Sequence, residues 1–156
     1  MIYKAPFMEI TSSLYSVLVE EGNSEINWFD SAVPINEIDA YFKRQAEFAY
    51  GIFGASEADC VSNKTAVIWD CSLQLEIYSN YKGRKVVAEQ LNALMTFLSS
   101  KAGTAALQTA LNKEGFALIS MQFRPLRVNL PIYSDNGVWQ SGSVNVTFRV
   151  GQLNQE

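Results

Sequence analysis

The feature that most constrains this chain is a change of period inside the segment Trp69–Leu98. Trp69, Cys71, Leu73, Leu75 and Ile77 alternate with Asp70, Ser72, Gln74 and Glu76. A period of two gives one apolar and one polar face, the pattern of a half-buried antiparallel strand. Ser79-Asn80-Tyr81-Lys82-Gly83 then supplies residues that tolerate unusual backbone angles or bond their own backbone, so the chain turns there. Beyond the turn, Val87, Leu91, Leu94, Met95 and Leu98 fall at i, i+4, i+7, i+8 and i+11, which is one face of a helix. A strand with one apolar face feeds a helix with one apolar face. Both are satisfied when the helix lies back on the sheet.

The remaining segments supply neighbours for that unit. Phe7, Ile10, Leu14, Val17 and Leu18 are spaced for a helix from about residue 6 to 21, with Pro6 in its first turn and Gly22 as its stop. Its apolar face is expected to pack on the sheet, with partner binding as the alternative. Ile26–Asp30 reads as a short strand or an ordered loop, ended by Pro34, and Ile35–Gln45 as one or two helical turns. Glu47–Ala55 reads as a strand and the polar stretch Ser56–Lys64 as a loop. Ala102–Asn112 reads as a short helix that follows a break at Gly103. Ala117–Arg124 and Val144–Val150 alternate as strands. Pro125 and Pro131 disfavour a central position for the continuation of the first of these. Tyr133–Gly137 ends in Asn-Gly, a hairpin-tip signal, and Gln152–Glu156 is a polar tail. The expected fold is α+β: an antiparallel sheet of four to five strands, two main helices packed on one face, and an extended β-hairpin arm. The whole chain, residues 1–156, reads as one domain.

Composition narrows the chemistry. There is no histidine, which removes Ser-His-Asp and Cys-His catalysis, His-ligated zinc and His proton shuttles. Of the two cysteines, Cys71 is expected on the apolar face of the central strand as a small buried hydrophobe, unpaired with Cys60. The net charge of −4 argues against a general nucleic-acid binder. No apolar run approaches the ~20 residues of a membrane-spanning helix. Met1–Pro6 lacks the basic start and apolar block of a secretory signal, so assembly in the cytoplasm without a membrane partner is expected.

Four local features could carry function. Lys82, Arg84 and Lys85 flank Gly83 where a helix begins, a position that favours anions; they read as a solvated helix start, a phosphate site or a contact with an acidic neighbour. Gly83 is not part of a phosphate-binding GxxxxGK[ST] loop, and Gly51–Ser56 is not a dinucleotide motif. Glu57 and Asp59 share one polar stretch and read as solvated carboxylates or as an acid–base or metal pair. Ser141-Gly142-Ser143 reads as a turn, because no GxSxG surrounds it. Arg124 and Arg127, with Tyr133 and Trp139, read as a protein–protein interface, since Arg and aromatic residues dominate binding hot spots; stacking on single-stranded nucleic acid is the alternative.

The segment Trp69–Leu98, WDCSLQLEIYSNYKGRKVVAEQLNALMTFL, together with the strands Phe116–Arg124 and Gly142–Val150 and the Asp-Asn-Gly tip before the last, resembles the tail-completion or tail-terminator proteins of tailed bacteriophages. The resemblance covers roughly residues 6–150 and consists of a layout with matching turn residues. It implies a virion protein without an active site or cofactor, assembled in the host cytoplasm. Such a protein closes with copies of itself into a ring, commonly a hexamer, at the head–tail junction. The ring caps the tail tube and docks to neck or connector proteins. A closing ring needs two different complementary patches on each subunit, and Pro125–Gln140 and Lys82–Lys85 are the candidates. DNA would pass through an acidic ring without specific binding. The related role of head-completion or connector ring protein fits the same layout. The rival is a small enzyme or ligand-binding α+β domain whose site uses Glu57, Asp59 or the basic turn.

Overall fold

The structure is a computed structural model that describes residues 1–30, 48–134 and 137–153. Helix α1 spans Phe7–Tyr15 and is prolonged by a wider π-helical turn over Ser16–Glu20. Helices α2 (Lys85–Ser99) and α3 (Lys101–Lys113) follow the central strand. The strands are β1 (Asn27–Phe29), β2 (Ala49–Cys60), β3 (Ile68–Ser79), β4 (Phe116–Val128), β5 (Ile132–Ser134) and β6 (Gly137–Gln152). Along the sheet the order is β1-β2-β3-β6-β4, and β5 continues the β4 side by pairing with β6. Every pairing is antiparallel except β1 with β2, which is parallel.

The period switch folds as read. Cys71, Leu73, Leu75 and Ile77 of β3 and Val144, Val146, Phe148 and Val150 of β6 are buried on one face. Val87, Leu91, Leu94 and Leu98 of α2, Leu107 and Leu111 of α3, and Ile10, Leu14 and Leu18 of the first helix close over them as one core. Each such side chain removed from water contributes ~1.5–3 kcal/mol before entropy is counted. Gly142 lets α2 approach the sheet: a Cβ there would sit 2.6 Å from Val87 Cγ1 and 2.7 Å from Leu91 Cδ1. The architecture is therefore α+β with helices against one sheet face, three helices and six strands among the described residues, β1 adding the parallel edge.

Several boundaries differ from the sequence reading. Ser56–Cys60, expected in a loop, forms the second half of β2, with Glu57 paired to Ser72 and Asp59 to Asp70. A register shift between Phe53 and Ser56 precedes it. The break between α2 and α3 falls at Ser100, not Gly103. Ser100 leaves helical angles (φ −70°, ψ 160°) and its Oγ accepts from the Gly103 amide at 3.0 Å. Gly103 sits in the first turn of α3, where a Cβ would run into the Phe97 carbonyl. Strand β4 runs through Pro125 to Val128, at the edge position that proline tolerates. The arm is short: β5 pairs with β6 over Ile132–Trp139, Tyr133–Val138 and Ser134–Gly137. Cys71 is buried, Cys60 is exposed, and both are free thiols. The turns expected in Ile35–Gln45, the Asp135-Asn136 tip and the end of the tail lie outside the described residues.

Candidate functional site

The sheet has two faces with different jobs. The side chains opposite the helices run Asp70, Ser72, Gln74 and Glu76 on β3, beside Arg149, Thr147, Asn145 and Ser143 on β6. Arg149 pairs with Asp70 at 2.7 Å, and this guanidinium holds the Asp70 carboxyl below its ordinary value. Ser72 and Thr147 share a hydrogen bond at 3.1 Å. At the arm end the same face turns aromatic. Phe48, Tyr50, Ile52 and Trp139 form a second, smaller buried cluster, with Phe29 and Tyr78 against it. Trp139 meets Phe48 edge-on at 5.6 Å and is 8% exposed. Burial pushes the Tyr50 hydroxyl up to about 12, with the neighbouring Tyr78 and Glu76 adding to the effect.

The candidate interface residues do not form one site. Arg124 and Arg127 pair with Asn145 and Ser143, so both stand on the face away from the helices. Both are exposed on edge strand β4. Tyr133, 78% exposed, continues that edge on β5. Trp139 is instead taken up in the aromatic cluster. Lys82, Arg84 and Lys85 are exposed at the start of α2, at the end of the sheet where β3 meets the arm. Lys85 reaches Glu89 at 3.9 Å, one turn along the helix.

Two features of this region were missed from the sequence. Around Tyr133, which the sequence reading named, the β4–β5 edge carries further exposed apolar side chains that it did not: Ile119, Leu126, Leu130, Ile132 and, beside them on β6, Val138. And Glu57 and Asp59 are strand residues on one face of β2, not loop residues. The signal was present as alternation, Glu57 and Asp59 against Ala58 and Cys60, but polar composition masked it.

On the helix side, a groove of about 570 Å³ runs between α3 and β4, with Leu118, Met121 and Phe123 along its strand wall. At its start the Gln108 side chain takes both backbone groups of Leu118: Oε1 accepts from the amide at 2.6 Å and Nε2 donates to the carbonyl at 3.3 Å. Among the described residues, no three His, Cys, Asp or Glu side chains are grouped to hold a metal ion, and no helix is long and apolar enough to cross a membrane.

No family model matches the sequence, and no curated protein matches it. Among solved structures, a chain in the virion of a native gene transfer agent (GTA) particle is similar, with a TM-score of 0.47 and 12% identity over 92% of this chain and 94% of that one.

Proposed function

We propose that this chain is a structural virion protein of the tail-terminator type, which closes with its own copies into a ring at the head–tail junction of a tailed bacteriophage. The observation that carries the reading is the β4–β5 edge. It is a long outer strand with no described strand on its far side, and it bears exposed apolar residues. Sheet edges of this kind template pairing with another chain unless they are covered, and contiguous exposed apolar surface marks interaction sites. The strand–helix layout that resembles the tail-terminator proteins supplies the place of action: the ring caps the tail tube and presents a docking face to the connector. Hexamer is the expected closed size. The net charge of −4 suits a passage through which DNA moves without being held.

Light scattering across a concentration series tests the reading. The expected result is one closed multiple of the 17.4 kDa chain that does not grow further. A strict monomer at high concentration, both alone and with tail-tube protein, would overturn it.

A further inference from the structure

The sheet has a second open edge, and it matches the first. Beyond Ile52 no described strand pairs with the outer side of β2, because β1 covers only Tyr50–Ile52. The register shift between Phe53 and Ser56 leaves a regular stretch, Ser56–Cys60. On the opposite edge, the shifts between Leu118 and Ser120 and between Arg124 and Leu126 leave a regular stretch of the same length, Ser120–Arg124. The Gln108 clamp on Leu118 closes the edge just before it. Charge complements length. Glu57 and Asp59 are exposed on β2, Arg124 on β4, and none of the three has an ion-pair partner among the described residues.

We infer that Met121–Arg124 of one copy pairs antiparallel with Glu57–Cys60 of the next, with Arg124 opposite Glu57. The inference rests on the ring reading and names its contact. Strand direction and face parity constrain the pairing. Strand β2 is antiparallel to β3, β3 to β6 and β6 to β4, so β4 runs opposite to β2. A rotation about an axis along the strands therefore brings β4 of one copy beside β2 of the next as antiparallel neighbours, with helices kept on one side. Face parity then restricts the register. Arg124 and Gln122 must oppose Glu57 and Asp59 on the polar face, and Phe123 and Met121 must oppose Ala58 and Cys60 on the helix face. With Arg124 opposite Glu57, Gln122 lies opposite Asp59, and Asp59 is the diagonal neighbour of Arg124, within reach of a long side chain. The contact is heterologous and joins two different patches, as a closed ring requires.

Two experiments test it. In the first, Arg124→Glu and Glu57→Lys are made in separate chains. Each alone places like charges opposite each other, so each runs as a monomer by light scattering. Mixed in equal amounts, every junction is again an opposite pair, and the assembled mass returns. Assembly of either variant alone at the wild-type size overturns the inference, as does a mixture that stops at a dimer, which signals an isologous β4–β4 contact. The second reads register. Met121→Cys faces the exposed Cys60 of the neighbour at the Cα spacing of an antiparallel pair, which a disulfide can span. Diamide oxidation is expected to give a ladder of covalent multiples, absent when Cys60→Ser is added. No ladder from an assembled protein overturns the proposed register and leaves the ring reading standing; an unassembled wild-type protein removes the ring reading itself.

Discussion

Arg149 meets Asp70 through two parallel hydrogen bonds, Nε to Oδ1 at 2.7 Å and Nη2 to Oδ2 at 2.8 Å, between residues that are register partners across β3 and β6. The pair ties β3 to β6 on the polar face, near the end of their ladder away from the arm. It also settles a charge conflict, because Asp70 lies directly opposite Asp59 of β2. Like charges placed opposite each other destabilise a sheet, and the guanidinium screens one of them.

Replacing Arg149 by Ala is expected to lower thermal stability slightly, as for other solvent-accessible pairs. The sign of its pH dependence follows from Asp70. Its folded-state value lies below its unfolded value, so the stabilisation is complete above the unfolded value and is lost as pH falls through the folded one. Wild-type and Arg149→Ala melting curves should differ at neutral pH and converge in acid. A gap that persists unchanged at low pH would contradict the assignment.

Gly142→Ala should be costly although the added group is one methyl. The Cβ would meet Val87 Cγ1, Leu91 Cδ1 and the Arg127 carbonyl oxygen at 2.6, 2.7 and 2.9 Å. Either α2 lifts from the sheet or β4 shifts along β6. Overpacking of this kind costs ~1–3 kcal/mol. Urea denaturation measures it, and the loss should be recovered in part by adding Val87→Ala, which removes the nearest clash.

The aromatic cluster predicts an alkaline transition. Tyr50 ionises in the folded chain only near pH 12, because burial opposes the tyrosinate and the charges of Tyr78 and Glu76 add to it. Tyr78 is raised by burial as well. A folded value above the unfolded value contributes stability that is whole below about pH 10 and declines as pH rises towards 12. Tyr50→Phe should therefore unfold at higher pH than the wild type in a tyrosinate absorbance titration. An unchanged midpoint would mean that Tyr50 is not the group that unfolding releases.

Much of this fold was legible because each strong signal has one cause. Alternation in Trp69–Ile77 and helical spacing in Val87–Leu98 both report which side chains leave water, and tertiary packing had only to agree. The boundary at Ser100 was misread because two mechanisms compete for a glycine. Gly103 looks like a helix breaker, yet it is kept small by the Phe97 carbonyl above it, while the capping hydroxyl of Ser100 ends one helix and starts the next. Ser56–Cys60 was misread because an edge strand exposes its residues and so has the composition of a loop. The candidate interface was only half legible for a related reason. Arg124 and Tyr133 are exposed as a hot spot requires, but Trp139 has the same composition signal and a different place, since no local pattern says on which side of the arm its ring packs.

The Gln108 clamp gives a prediction that joins stability to edge control. One side chain from α3 satisfies both the amide and the carbonyl of Leu118, just before the register shift that follows it on β4. Gln108→Ala removes the partner of two backbone groups at once, and an unpaired, partly buried amide costs ~1–3 kcal/mol. Stability should fall by about that amount in chemical denaturation. Hydrogen exchange at the Leu118 amide should rise well beyond the global change, because the effect is local. Gln108→Glu separates the two bonds: a carboxylate still accepts from the amide but cannot donate to the carbonyl, so it should keep most of the amide protection and lose part of the stability. The clamp also shortens the exposed edge, and short edges resist indiscriminate pairing. Gln108→Ala should then broaden the distribution of assembled sizes in light scattering, while Gln108→Glu should not. Equal protection of Leu118 in all three proteins would show that β6 alone holds the strand and that the side chain guards nothing.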